Sequence, residues 1–302
     1  MPSSISYLDE GWAVVTGCSA VSKACEGCWA AYYAANRGRH LPAYQGLARL
    51  DQHGRAQWTG EVRLHPDKLE LPWHWYKPRT IGVAFTGDLF HEEVPDNYID
   101  RTLAIMALTP WHQYLILTKR PERMLPYMAE LVKGPWAGRI VRDGIPEVDV
   151  TQRVFQIMMG LYFSIPPQIL NRAADWWAER NPDGLGFLQA WPLPNVWLGV
   201  TVENQEQKPR IDLLRQAPAA KRWLSLEPLL EDLGGLNLDG ISWCVVGSES
   251  GPNARPMQLD WVRAVRDKCV AAGTKFYFKQ AMDSGKLIHL PTLDGLRWEE
   301  KP

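Results

Sequence analysis

The sequence contains no long hydrophobic run. Its most apolar stretch, residues 155–170, is broken by Gln156, Gly160 and the pair Pro166 and Pro167. A bilayer-spanning helix needs about 20 apolar residues in succession, so no membrane segment is expected. Net charge is nearly absent as well. Lys and Arg number 33 against 34 Asp and Glu, a balance of −1. A whole surface built to coat nucleic acid is thereby excluded, though local basic patches are not. Cysteine is scarce and odd in number, five in all, with no paired spacing beyond the first three. That argues against a disulfide scaffold. Residues 1–12 lack the basic and apolar regions of a secretory leader. The expected location is therefore the cytoplasm, where thiols stay reduced.

What remains is ordinary for a globular protein of 302 residues: 46% hydrophobic and 22% charged. A core of ample size can form, in one large domain or two. Fifteen tryptophans are many; most belong to a core, and some are suited to stack on a planar ligand.

Three of the five cysteines, Cys18, Cys25 and Cys28, fall within the stretch GWAVVTGCSAVSKACEGCWAAYYAANRGR, residues 11–39. The β-branched run 13–16 leads in and the Ala- and Tyr-rich run 29–36 leads out, which reads as strand, cysteine loop, helix. Two residues separate Cys25 from Cys28, so one turn of chain aims both thiolates at one centre. Residues 19–24 are enough to return Cys18 to the same point, beside the positive end of the helix dipole. Three thiolates without an evident fourth ligand suit an iron–sulfur cluster with one iron left open. The same three with His40 make a closed zinc set. Plain burial as small hydrophobes is the third reading, and the crowding of three cysteines into eleven positions weighs against it.

Further along, hydrophobic runs recur at residues 80–86, 113–118, 196–202, 221–226, 241–246 and 275–278. Helix-like stretches follow at about 95–108, 122–132, 205–216 and 260–272. With the run before the first cysteine there are about seven strands. Near-continuous apolar runs fit a parallel sheet buried on both faces. Each run ends in a polar or charged residue: Cys18, Asp88, Lys119, Glu203, Glu227, Glu249 and Lys279. In a (β/α) barrel the carboxyl ends of the strands form one rim, and chemistry sits there. The competing fold is an open doubly wound sheet, but no G-x-G-x-x-G follows the first strand. The expected fold class is thus α/β, a full or partial (β/α) barrel of TIM type with the cysteine loop after the first strand. Residues 1–302 form a single domain, with a helical insertion or cap at about 133–194 that holds helices near 150–159 and 167–179. The end of the chain reads as a hairpin or closing strand.

The cysteine pattern together with TGDLF, ILTKRPERM, VWLGVTVEN, WLSLEPLL, VVGSESGPNARPM, FYFKQ and LDGLRW resembles a family of phage- and prophage-encoded proteins of largely unknown function. That family is thought to belong with the radical S-adenosylmethionine (SAM) enzymes. The spacing departs from the commonest one: six residues separate Cys18 from Cys25 where three are usual, and Trp29 follows the last cysteine. The resemblance implies a [4Fe–4S] cluster on Cys18, Cys25 and Cys28, SAM on its open iron, reductive cleavage of SAM by a reducing electron donor, and hydrogen abstraction from a substrate. Gly87 would let backbone approach the ligand and Asp88 would accept from the SAM ammonium. Glu203, Glu227 and Glu249 would meet ribose hydroxyls or the sulfonium side, with salt bridges to rim cations as the competing role. Lys119, Arg120, Arg255 and Lys279 would hold the SAM carboxylate or an anionic substrate, a nucleotide or other small molecule. The alternative function is a zinc-stabilised, nucleic-acid-associated binding protein. Cys244, Cys269, His91 and His112 read as structural.

Overall fold

The hydrophobic runs become the strands of one sheet. The computed structural model describes residues 5–131, 140–142, 145–147, 150–162, 165–180, 192–251 and 253–302. The strands are β1 (Glu10–Trp12), β2 (Thr80–Val83), β3 (Gln113–Thr118), β4 (Val196–Thr201), β5 (Lys221–Leu226), β6 (Trp243–Gly247), β7 (Lys275–Asp283) and β8 (Lys286–His289). They lie side by side in chain order. Neighbours from β1 to β7 are parallel, and β8 returns antiparallel on β7. A doubly wound sheet reverses its strand order at a switch point; this order never reverses, so the open doubly wound alternative falls away.

The sheet curls into a half-barrel. Tyr7, just before β1, packs edge-on against Trp223 of β5, Trp243 of β6 and Tyr277 of β7, with ring centroids 5.2–6.2 Å apart. Contact between the leading segment and the last parallel strands requires a concave face. That face is filled by Leu115, Trp197, Trp223, Trp243, Val245 and Tyr277. Gly199 on β4 stands opposite Trp223, and a Cβ there would lie 2.4 Å from its indole nitrogen. Glycine is required because the neighbouring tryptophan fills its place. Among the described residues no ladder joins β1 to β7 or β8.

Helix α1 (Trp29–Ala35) packs on the hairpin of Ala48–Leu50 with Ala56–Trp58, and the convex face carries α2 (Asp96–Leu108), α3 (Pro121–Leu131), α4 (Val150–Tyr162), α5 (Pro167–Arg180), α6 (Pro209–Gln216) and α7 (Leu259–Ala272). The last of these stops at Gly273, whose φ of +69° suits a left-handed cap. Their apolar stripes and the outer strand residues make the larger core. Cys244 and Cys269 are fully buried in it, as the sequence suggested. No helix among the described residues is long and apolar enough to cross a membrane.

Two local expectations change. The first sheet strand is Glu10–Trp12, not 13–16. After Trp12 the chain turns, with Val14 N donating to Trp12 O, and Val15–Thr16 leaves the sheet to pair antiparallel with Arg63–Leu64. The strand at 80–86 ends at Val83, because Ala84 takes a φ of +56° and breaks the ladder. Separately from the main sheet, Ala48–Leu50 pairs with Ala56–Trp58 in a hairpin. Of the insertion at 133–194, residues 133–139, 143–144, 148–149, 163–164 and 181–191 lie outside the described residues. Its helices α4 and α5 dock on α2: Arg153 Nε donates to Asp100 at 2.8 Å and Trp177 Nε1 to Ala107 O at 3.1 Å. No described residue of this segment lines the mouth of the half-barrel.

Candidate functional site

The parallel strands bring their carboxyl ends to one cleft. Cys18, Asp88, Lys119, Glu227, Glu249 and Lys279 all border it, together with Cys25, Cys28, Gly87 and Arg120. Six of the seven strand-end residues therefore meet as expected. The seventh, Glu203, is fully buried behind the lining. Arg255 also stands behind it, on the outer side of the cysteine loop.

The loop is built locally by a 3-10 turn, Lys23–Gly27, in which Cys25 N donates to Ser22 O and Cys28 N to Cys25 O. Cys28 is the residue before α1, and its carbonyl accepts from Tyr32 N at 3.0 Å. So Cys25 and Cys28 fall on one turn, and α1 begins at the site.

Rim charges hold the loop in place. Arg120 donates to Ser19 O and Ser19 Oγ and stands 3.4 Å from Cys18 Sγ. Ser19 Oγ also pairs with buried His91 at 2.9 Å. Ser22 Oγ donates to Glu203 at 2.9 Å, while Lys119 and Arg210 bond the same carboxylate. Arg255 reaches Lys23 O at 3.0 Å and grips Glu249 through its backbone and side-chain nitrogens. Glu249 in turn lies against Gly27. Four separate rim groups thus pin residues 19–27.

Several of the expected ligand-binding residues have partners within the chain. Lys119 pairs with Glu203, Arg120 with Asp88 and Glu92, Arg255 with Glu249, and Lys279 with Glu227. All four cations are matched by acids, which is the competing salt-bridge arrangement. Asp88 is likewise occupied. Its carboxylate accepts from Phe90 N, Thr118 Oγ1, Lys119 N and Arg120 at 2.7–3.2 Å. It ties the end of β2 to the end of β3 and has little capacity left for a SAM ammonium. Gly87 is needed for a close approach, but to its own chain: a Cβ there would meet Val15 O at 2.8 Å and Gly17 O at 3.0 Å.

The thiols differ electrostatically. Burial pushes Cys18 up to about 12, with Asp88 adding to the effect and Arg120 only partly opposing it. Burial also works against ionisation of Cys25, but Lys119, backbone donors at Val21 and Ser22, and the Ser22 hydroxyl outweigh it and bring that thiol below its ordinary value. Glu203 sits below the usual carboxylate range because Lys119 and Arg210 overcome its burial. A metal that binds thiolate releases the proton and so overrides a raised thiol value.

The three sulfurs share the cleft but face different partners, and no set of three metal-binding groups is gathered at one point among the described residues. Their chemistry still fits a cluster: three thiols on one clamped loop at the rim, none in a disulfide. His40 does not line this cleft; it is exposed and accepts from Arg39 Nε at 2.8 Å. The closed zinc set loses its fourth ligand. Beneath the loop, Ser248 Oγ is buried and has no partner among the described residues. It borders the cleft near Gln280, Ser225 and the Lys279–Glu227 pair, and suits a polar group of a ligand. The sequence reading missed Ser19, Ser22, Gly27, Arg210 and Ser248. Only Gly27, inside the C-x-x-C turn, carried a signal in the sequence.

The chain belongs to a family described as "Protein of unknown function (DUF5131)", whose model matches residues 2–302. No curated protein and no solved structure matches it.

Proposed function

We propose that this protein is a radical SAM enzyme, a partial (β/α) barrel in which Cys18, Cys25 and Cys28 hold a [4Fe–4S] cluster. One observation carries the reading: three free thiols on a single clamped loop border one cleft at the carboxyl ends of seven parallel strands. Ligands of such sheets bind at those ends. When bound, the cluster and SAM supply one-electron reductive cleavage of SAM and hydrogen abstraction from a substrate. The chain's own contribution is positioning. Arg120, Glu203, Glu249 and Arg255 hold the loop still, so the sulfurs are presented from a fixed frame. Lys119 and the Ser22 hydroxyl favour the thiolate of Cys25. Ser248 Oγ and Gln280 line the floor, where a polar part of SAM or of the substrate meets buried hydrogen-bonding groups instead of water. Free thiols and an electron-transfer reaction both suit a reducing compartment such as the cytoplasm.

The deciding experiment is anaerobic purification followed by iron and sulfide analysis. The expected result is about four of each per chain, with broad absorption near about 400 nm. Added dithionite and SAM should then release 5′-deoxyadenosine. A colourless protein that carries zinc, or no metal after reconstitution with iron and sulfide, overturns the reading.

A further inference from the structure

Below the charged rim, the concave face of the sheet carries a neutral set of polar side chains. Thr201 of β4 stands directly opposite Ser225 of β5. Each follows an inward tryptophan of its own strand, Trp197 or Trp223, by an even number of residues, so both face inward. Each also precedes its strand-end glutamate by two residues, which sets it roughly 7 Å deeper than the rim. Glu227, two residues after Ser225, lies beside Gln280. A Cβ on Gly247 would meet Gln280 Cγ at 3.1 Å and Glu227 Cδ at 3.3 Å, so the missing side chain makes room for both. Ser248 N donates to Gln280 O at 3.1 Å, and Gln280 Nε2 donates back to Ser248 O at 2.8 Å. Strands β4 to β7 thus gather Thr201, Ser225, Ser248 and Gln280 on one floor, and all four border the cleft.

These four residues are only 0–5% exposed. Yet the three hydroxyls and Gln280 Oε1 have no hydrogen-bond partner among the described residues. Buried polar groups are rarely left so, because each costs the free energy of a lost hydrogen bond. Charge is already balanced here: every charged side chain that borders the cleft is paired with one of opposite sign. Lys279 takes one carboxylate oxygen of Glu227, and the other has no partner among the described residues. Apolar lining stands next to this floor. Phe85 stacks on Trp223 at 6.4 Å, Tyr7 packs edge-on against the same indole, and Leu117 stands opposite Gly199. All three residues border the cleft.

We propose that this floor is a substrate subsite for an uncharged heterocyclic ring of the nucleobase kind. Hydroxyls both donate and accept, so they suit the mixed donors and acceptors on the edge of such a ring. The second oxygen of Glu227 accepts from a ring N–H. The apolar side of the ring meets Phe85 and Leu117, where a sugar would bury hydroxyls without partners. An anion would be desolvated beside Glu227 with no unpaired cation to receive it, a cost a neutral ring avoids. The binding needs no cluster; only the chemistry that follows rests on the function proposed above.

Isothermal titration of the purified protein with the common ribonucleosides, their 5′-monophosphates, glucose and SAM tests it. At least one nucleoside should bind with a Kd below about 1 mM. Its 5′-monophosphate should bind no more tightly, and SAM should not displace it. Ser225→Ala and Ser248→Ala should each weaken binding by about three- to tenfold, the loss of one neutral hydrogen bond. Ser248→Ala should leave the urea midpoint unchanged or raised, since it removes a buried hydroxyl that lacks a partner. A purely structural role would lower that midpoint and spare binding. Failure of every nucleoside to bind, equal binding of glucose, tenfold tighter binding of the monophosphate, displacement by SAM, or indifference to both serine changes overturns the proposal. Nucleoside binding without iron refutes the cluster alone. Iron and 5′-deoxyadenosine release without nucleoside binding refutes this subsite alone.

Discussion

The carboxylate of Glu249 occupies the space a side chain at Gly27 would need: a Cβ built there would stand 2.0 Å from Oε1. The end of β6 thereby reaches the turn between Cys25 and Cys28. Glu249 cannot easily give way, since Arg255 holds it by three nitrogens. Gly27→Ala should push the cysteine turn off the rim, an overpacking effect of about 1–3 kcal/mol. The expected outcome is a lower urea midpoint with an unchanged slope, and less iron retained after reconstitution. Wild-type iron content and stability in this variant would show that the turn is not fixed by this contact.

The cysteines divide into two groups. Cys18→Ala, Cys25→Ala and Cys28→Ala should each remove most of the iron, because each thiolate is one of three ligands with no spare beside it. Cys244→Ala and Cys269→Ala should keep the iron and lower stability by about 1 kcal/mol, the cost of a small buried cavity. Iron lost from Cys244→Ala but kept in Cys18→Ala would refute the assignment.

Asp88 is expected to act through structure. Asp88→Ala removes the acceptor for two backbone amides, Thr118 and buried Arg120. Breaking a buried charge pair costs about 3–5 kcal/mol, and here Glu92 and Ser19 remain to Arg120, so about 3 kcal/mol is expected. Chemical denaturation reads this directly. A variant of normal stability with weakened SAM affinity would return Asp88 to the role of ligand.

Stability should depend on pH through His112. The ring is 1% exposed, and burial brings its value down from 6.5 to about 4. Between those values the unfolded imidazole binds a proton and the native one does not. Falling pH therefore favours the unfolded chain. The contribution is complete above about 6.5 and is lost as pH drops toward about 4, on the order of 3 kcal/mol in all. His65 is lowered to about 4 for the same reason. Urea midpoints at about pH 7.5 and about pH 5 should differ for the parent and differ less for His112→Gln.

Particular elements show where the sequence was sufficient. Residues 113–118 and 221–226 are strands with the expected ends, because each short run has an apolar centre and is bounded by polar residues. The helix expected at 260–272 spans Leu259–Ala272 and stops at Gly273. The run at 13–16 misled because β-branched composition is the same in a sheet strand and in a two-residue pairing; only the partner distinguishes them. The strand at 275–278 runs on to Asp283 because β8 returns to pair with it.

By itself the sequence determined the α/β class, the parallel strands and the gathering of strand-end residues at one rim, since these follow from near-continuous apolar runs that alternate with helical stretches. It also isolated the three cysteines. Tertiary structure alone decided what those rim residues do. Whether a glutamate meets a ligand or an arginine depends on which side chains curvature brings within about 3 Å, and no local pattern encodes that distance. Glu203, Glu249, Arg120 and Arg255 became clamps on the cysteine loop because the curled sheet carries β3, β4 and β6 to the same turn that follows β1.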